Sequence, residues 1–238
     1  MTRRLLLLSS SRDANGVYLL HSSSAIRSLL GESVRHVLFI PYAGVTIAHD
    51  AYAERAAVPF AKLGYDLQSI GDASNPADAV ESAEAIVVGG GNTFQLLATL
   101  QDRKLLEVIR TRVRAGVPYI GWSAGAVITA PTIGTTNDMP IVEPESLRAL
   151  GLIPFQINAH YTDQHPPGHQ GETRAERLEE YVAVNRTTRV LGLREGCSLR
   201  IFDDAIALNG VGTAPVFQYG ASRAEYSAGD DISFLLAA

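Results

Sequence analysis

The sequence predicts an α/β fold, a three-layer sandwich with a mostly parallel sheet, helices on both faces and additional strands towards the C-terminus. Three observations point to it. Short continuous apolar runs alternate with longer segments whose apolar residues recur at helical spacing. The runs are apolar at every position, the pattern of strands covered on both faces, rather than alternating apolar and polar. The last third exchanges this rhythm for closely spaced β-like runs divided by Gly and Asp-Asp turns.

The first run, residues 5–8, is four consecutive leucines and leads into Ser9, Ser10 and Ser11. A helical pattern over 17–30 follows, then a strand over 37–40, a helix over 50–63 and a strand over 86–88. A helix over 105–114 precedes the run at 119–120, and a further helical pattern spans 172–184. The runs at 190–193, 199–202, 205–208, 216–219 and 232–235 are expected to complete the same sheet, several of them antiparallel. Residues 131–154, rich in Thr, Pro and Asn, read as a loop over the sheet edge, and long ordered loops are often functional. No linker, repeat or low-complexity tract interrupts the chain, so a single domain over residues 1–238 is expected.

Composition narrows the function. Of 238 residues, 46% are hydrophobic and 19% charged, as in an ordinary folded domain. A net charge of -5 without a Lys/Arg block argues against nucleic acid as partner, because counterion release needs a clustered positive surface. Cys197 is the one cysteine, which rules out an intrachain disulfide and fits a reducing compartment. The apolar run after Arg3 and Arg4 is too short for a signal peptide, and no stretch approaches the roughly 18 apolar residues of a membrane span. A cytoplasmic protein without a membrane partner, a monomer or small homo-oligomer, is expected.

The strongest local signal is Gly121-Trp122-Ser123-Ala124-Gly125, which fits the G-x-S-x-G nucleophile elbow. A serine on a sharp strand-to-helix turn projects its hydroxyl above the sheet, the glycines permit the tight backbone, and the next amide faces a developing oxyanion. A strand over 117–120 and a helix starting in 124–129 supply that context. A second segment, Gly89-Gly90-Gly91-Asn92-Thr93-Phe94, follows another strand. Bare amides there suit a phosphate cradle, an oxyanion hole or a plain tight turn. Neither Gly-Lys-Ser/Thr nor G-x-G-x-x-G is present. In a parallel sheet both loops open on one edge, which favours an oxyanion hole made by Gly90 or Gly91 with Ala124.

A serine nucleophile needs a base. Of six histidines, His160 lies just after the strand-like 155–157, at the same predicted edge. The group His160, Asp163, His165 and His169 has metal-ligand residue types, but Pro166-Pro167-Gly168 prevents a helical i,i+4 pair and no metal is expected. Two acids compete to orient the base: Asp138, in the long loop, and Glu195, directly after a strand-like run. Position favours Glu195, because a strand end gives more rigid support than a loop. Arg174 or Arg177 has the chemistry to grip a substrate carboxylate bidentately.

A longer pattern runs through these segments: 5–9, Pro41-Tyr42-Ala43-Gly44-Val45-Thr46, 88–97, 121–126, 135–142, Gln156-Ile157-Asn158, His160, Gly168-His169, 171–174 and Glu195-Gly196. In order, from residue 5 to about residue 220, it resembles the dipeptidase E family, serine peptidases related in fold to class I glutamine amidotransferases. The resemblance implies Ser123 as nucleophile and His160 as base. It gives the third role to the family acids matching Glu195 and Asp138, of which Glu195 is preferred; Asp138 would then shape the site or sense the substrate's amino group. It implies that Arg174 and Asn92 bind substrate. This sequence departs from the pattern at Ala159 and Arg194, where proline is common, and at Cys197, where asparagine is.

The implied activity is hydrolysis of Asp-X dipeptides with an N-terminal α-linked aspartate, through a seryl acyl-enzyme and without metal or organic cofactor. Two other readings stay open. One is a β-aspartyl peptide hydrolase of the cyanophycinase type. The other is a ligand-binding homologue without chemistry, which a fluorophosphonate probe unable to label Ser123 would favour.

Overall fold

The all-apolar runs become the middle of a sheet. The computed structural model describes residues 3–165, 167–168 and 170–237, so His169 lies outside the described residues. Its strands are β1 (Arg4–Leu8), β2 (His36–Ile40), β3 (Asp66–Ser69), β4 (Ile86–Val88), β5 (Tyr119–Trp122), β6 (Gln156–Tyr161), β7 (Arg189–Arg194), β8 (Cys197–Phe202), β9 (Ala205–Gly210), β10 (Thr213–Gln218) and β11 (Ala224–Ser227). Its helices are α1 (Ser23–Leu30), α2 (His49–Lys62), α3 (Pro76–Ser82), α4 (Thr93–Asp102), α5 (Leu106–Arg114), α6 (Ala124–Val127) and α7 (Arg174–Val184).

The main sheet has the order β3-β2-β4-β5-β1-β8-β9. Its first five strands are parallel, and β8 and β9 add antiparallel to one side. Leu5 and Leu7 of β1 point into one cluster of buried side chains, Leu6 and Leu8 into another. Strand geometry makes this unavoidable, since successive side chains leave opposite faces. Residues of α1 and α2, such as Ile26, Leu29, Ala56 and Phe60, cover one face; Val80, Leu97, Ile109 and Val113, from α3, α4 and α5, cover the other. Helices therefore flank both faces, as predicted.

The C-terminal third departs from expectation. Its strands do not complete one sheet. Only β8 and β9 join the main sheet, whereas β6, β7, β10 and β11 form a second, four-stranded one with the order β11-β10-β7-β6. The exchange happens at Glu195-Gly196, the two residues between β7 and β8, where Gly196 takes a positive φ of 79°. The cluster holding Leu5 and Leu7 continues through Ile157, Leu191 and Ala214 of the second sheet. The predicted strand at 232–235 is instead a 3-10 turn, Ser233–Leu236. Ile232 and Leu235 are buried while Phe234 is exposed, a three-residue period that a strand cannot satisfy.

Helix 17–30 begins only at Leu20, as a 3-10 turn running into α1. The elements α3, α4, β3 and β11 were not anticipated: β3 carries polar residues, and α4 is masked in sequence by the glycine loop it grows from. Residues 131–154 form no helix or strand beyond a single bridge between Thr132 and Arg148, yet bury Ile133, Leu150 and Ile153 in the core. The parallel strands β1, β4 and β5 lead into Ser9, Gly89 and Ser123 along one edge, which is where ligands bind in such sheets.

Candidate active site

The elbow is built as its glycines require. Ser123 stands between β5 and α6 with φ 52° and ψ -117°, a conformation that non-glycine residues adopt only under strain. A Cβ on Gly121 would lie 2.1 Å from the carbonyl oxygen of Gly125, and one on Gly125 would lie 2.2 Å from that of Val88. No side chain fits at either position, so the turn closes only with glycine on both sides. The Ser123 amide donates to the Leu8 carbonyl at 3.0 Å, which carries the β1–β5 pairing into the elbow.

His160 lies within β6 rather than after it. The β6–β7 register shifts between Ala159 and Tyr161, and His160 occupies this bulge with φ 54°. Bulges beside active sites re-aim a side chain at the expense of one ladder bond. The displaced His160 amide donates to Ser9 Oγ at 2.9 Å, and the Ser9 hydroxyl donates to the Leu193 carbonyl at 2.7 Å. Ser9 is fully buried at the end of β1, so one hydroxyl fastens the bulge to both sheets.

The imidazole bridges two partners. Its Nδ1 lies 2.8 Å from Glu195 Oε1, and its Nε2 lies 2.8 Å from Ser123 Oγ. A carboxylate only accepts, so Nδ1 carries the proton and Nε2 accepts from the serine hydroxyl. The chain order of the three groups is Ser–His–Glu. Glu195 is 69% exposed in its side chain and His160 38%, so the acid works at the solvent boundary.

Asp138 does not reach the ring. Its Oδ2 accepts from the Thr93 amide at 2.7 Å, Thr93 Oγ1 at 2.5 Å and Thr136 Oγ1 at 3.1 Å. This places a negative charge at the N-terminal end of α4, where the helix dipole favours it. Asn92, expected to bind substrate, has its carboxamide engaged structurally. Its oxygen caps α4 by accepting from the Gln95 amide, and its nitrogen donates to the Met139 carbonyl at 2.8 Å.

The glycine loop runs past Ser123. A Cβ on Gly90 would sit 2.9 Å from Ser123 Cβ. Tyr52 Oη donates to the Gly90 carbonyl at 2.9 Å and itself accepts from Trp122 Nε1 at 3.0 Å. Because the peptide is planar and trans, a Gly90 carbonyl held on the Tyr52 side turns the Gly91 N–H the other way. Among the described residues the amides of Gly90, Gly91 and Ala124 have no acceptor.

Ser123, His160 and Glu195 separate two cavities. The first, about 690 Å³, is lined by Thr93, Thr136, Asp138 and Arg174, and the second, about 720 Å³, by Arg12, Tyr18, Arg55, Gly90 and Gly91. Arg174 is the first residue of α7, whose Thr173–Glu176 capping box fixes the helix start. A cation there opposes the helix dipole. Its Nη1 is buried with no hydrogen-bond partner, and burial first, then Arg177, push the guanidinium below its usual proton affinity. Arg177 does not line either cavity.

Sequence reading missed Ser9 and Arg12, whose only signal is position just after β1, and Tyr52 and Arg55, which lie within α2 and carry no such signal. It also missed what Arg194 does. That guanidinium reaches Glu225 and the Thr213 carbonyl at 2.8 and 2.7 Å, ion-pairs with Asp163, and lies over the Tyr161 ring. It thereby ties β6, β7, β10 and β11 together one residue before Glu195. Asp163, weighed above as a metal ligand, is held by Arg194 and Arg223. Among the described residues no group of three or more His, Cys, Asp or Glu is arranged to hold a metal ion. None of their helices is long and apolar enough to cross a membrane.

Residues 5–209 match the model of peptidase family S51. Over 236 residues the chain is 45% identical to "Peptidase E" of Nostoc sp. (strain PCC 7120), covering 99% of this chain and 98% of that one. It is 46% identical to "Peptidase E" of Shewanella amazonensis, covering 99% of this chain and all of the relative, 100%. Among solved structures it is similar in fold to a peptidase from an acI-B1 Actinobacterium, with a TM-score of 0.74, 21% identity and 98% of each chain covered.

Proposed function

The chain belongs to peptidase family S51, and on that premise we propose that it is a serine dipeptidase removing an N-terminal, α-linked aspartate from Asp-X dipeptides. The observation that carries this reading is at Arg174: the side chain is half-buried, its Nη1 is buried without a hydrogen-bond partner, and it lines one cavity with Ser123, His160 and Glu195. A buried N–H without an acceptor is costly, and a carboxylate entering the cavity relieves that cost with charge-assisted hydrogen bonds.

In the mechanism, His160 takes the proton of Ser123 as the serine oxygen attacks the aspartyl carbonyl. The amides of Ala124 and of Gly90 or Gly91 receive the negative charge that develops on the carbonyl oxygen. Glu195 holds the ring in the required tautomer and stabilises its cation. His160 then gives its proton to the departing amine, and water, activated by the same imidazole, releases aspartate from Ser123. Arg174 receives the aspartate side-chain carboxylate. The Asp138 bonds described above all use Oδ2, which leaves Oδ1 for the substrate ammonium. A cytoplasmic site of action fits the single, unpaired cysteine.

Initial rates on an α-Asp dipeptide, its β-Asp isomer and a Leu dipeptide, with Ser123→Ala as control, test the reading. The α-Asp substrate is expected to be cleaved selectively, and Ser123→Ala to lower kcat by about three powers of ten or more. Preference for the β-linked isomer would move the protein to β-aspartyl hydrolysis with the same serine chemistry. Full activity of Ser123→Ala would sink the assignment.

A further inference from the structure

We infer that the second cavity is the leaving-group subsite, and that Arg12 and Arg55 in it recognise the free C-terminal carboxylate of the dipeptide. This rests on the aspartyl-dipeptidase reading above and extends it to the residue after aspartate. An Asp-X dipeptide carries two carboxylates, one on the aspartate side chain and one at its C-terminus. They flank the scissile carbonyl. The protein has a matching layout: Ser123 and His160 line both cavities, with Arg174 in one and Arg12 and Arg55 in the other. Once the acyl side of the substrate occupies the Arg174 cavity, the departing amine projects past the glycine loop into the second.

Arg12 is pre-positioned for this task. It sits in the loop leaving β1, whose shape is set by the Ser10 hydroxyl donating to the Arg12 carbonyl at 2.6 Å and by a bridge between Arg12 and Tyr18. Arg12 Nη1 donates to the Gly16 carbonyl at 2.7 Å, and the guanidinium lies 5.7 Å from the Tyr18 ring centroid. Tyr18 packs edge-on against Trp122, the residue before the nucleophile, at 6.1 Å. The cation is thus fixed relative to Ser123 while Nε and Nη2 stay available. The side chain of Arg55, on α2, makes no hydrogen bond or ion pair with any described residue. Of the two acids lining this cavity, Asp13 is tied to its own turn by the amides of Asn15 and Val17 at 2.9 and 2.8 Å, and Glu195 is engaged by His160 Nδ1. Val45, Ile47 and Ile141 supply an apolar wall for the side chain of X.

The arrangement limits chain length. A third residue would replace the carboxylate with a neutral peptide carbonyl at the two cations, forfeiting the charge-assisted bonds.

The test compares kcat/KM for Asp-Leu and for Asp-Leu carboxamide in the wild type, Arg12→Ala, Arg55→Ala and the double variant, with thermal unfolding of each as a check on folding. The wild type is expected to prefer the free acid by about tenfold or more, the size of one charged hydrogen bond. In the double variant that ratio should fall towards one, with the loss in KM for the acid. Equal wild-type rates on acid and amide, or a preference that survives in the double variant, overturn the subsite. Cleavage of neither substrate overturns the aspartyl-dipeptidase reading itself.

Discussion

Ser9→Ala tests how the two sheets assemble the site. Its hydroxyl is the one group that receives the His160 amide, and it also donates to the Leu193 carbonyl. Both partners lie in the second sheet, whereas Ser9 continues β1 of the first. Removing the oxygen strands two backbone groups where Ser9 itself is fully buried. An unsatisfied buried group costs about 1–3 kcal/mol, so the variant should lose about 2–5 kcal/mol of stability. For a chain of 238 residues that is a fall of roughly 5–15 °C in Tm. The bulge also loses the anchor that aims the imidazole, and a displacement near 1 Å in a catalytic group lowers the rate by about a hundredfold. The assay is a urea unfolding curve together with kcat and KM on an α-Asp dipeptide. The expected result is a large drop in kcat with KM little changed. Wild-type stability and wild-type kcat in Ser9→Ala would refute the reasoning, because the hydroxyl would then anchor nothing.

Four further perturbations bear on the site and its supports. Glu195→Gln keeps a partner for His160 Nδ1 but removes its charge; at 69% exposure solvent screens much of that charge, so kcat should fall by about 10–100-fold rather than the larger loss seen with buried acids. Asp138→Asn should act mainly on KM, and the reverse outcome, a collapse of kcat with Asp138→Asn and little effect of Glu195→Gln, would hand the third role to Asp138. Gly125→Ala drives a Cβ to 2.2 Å from the Val88 carbonyl oxygen, an overpacking worth about 3 kcal/mol or more, so a Gly125→Ala protein with unaltered Tm would contradict the elbow geometry. The last concerns pH. Burial raises the Asp163 and Glu225 carboxyls, but hydrogen bonds from Arg194 outweigh it, aided by Tyr161 and Arg223 at Asp163 and by Thr213 at Glu225, and both end below their usual values of 3.8 and 4.5. Carboxyls lowered by folding stabilise above those values and lose that contribution as pH falls through their folded ones. The stability gap between wild type and Arg194→Met should therefore narrow as pH drops below 4.5, and a gap constant from neutrality to pH 3 would count against the network.

Arg194 also bears on the acid that follows it, because it anchors the end of β7 through Asp163, Glu225 and the Thr213 carbonyl. The Glu195-Gly196 turn that follows can then be short and still hold a carboxylate against His160.

The sequence by itself determined what is local. Continuous leucines at 5–8 had to lie in a strand covered on both faces, and Gly121, Ser123 and Gly125 announced the strand-turn-helix elbow in which the structure places them. Elements whose burial follows their own period were legible for the same reason, among them α2, α5 and α7. Tertiary structure alone decided the rest. Whether Glu195 or Asp138 meets His160 depends on a contact spanning 35 residues and on a chain reversal that passes from one sheet to the other. The bulge that carries His160 is an irregularity of pairing between β6 and β7, and no pattern within β6 encodes it. Ser9 reads as one of three serines until 151 residues later the His160 amide falls on its hydroxyl. Hydrophobic periodicity records which face of an element is buried, but which polar atoms meet is set only when the sheets pack, because a hydrogen bond needs its two partners within a few tenths of an ångström and a period does not fix position that finely.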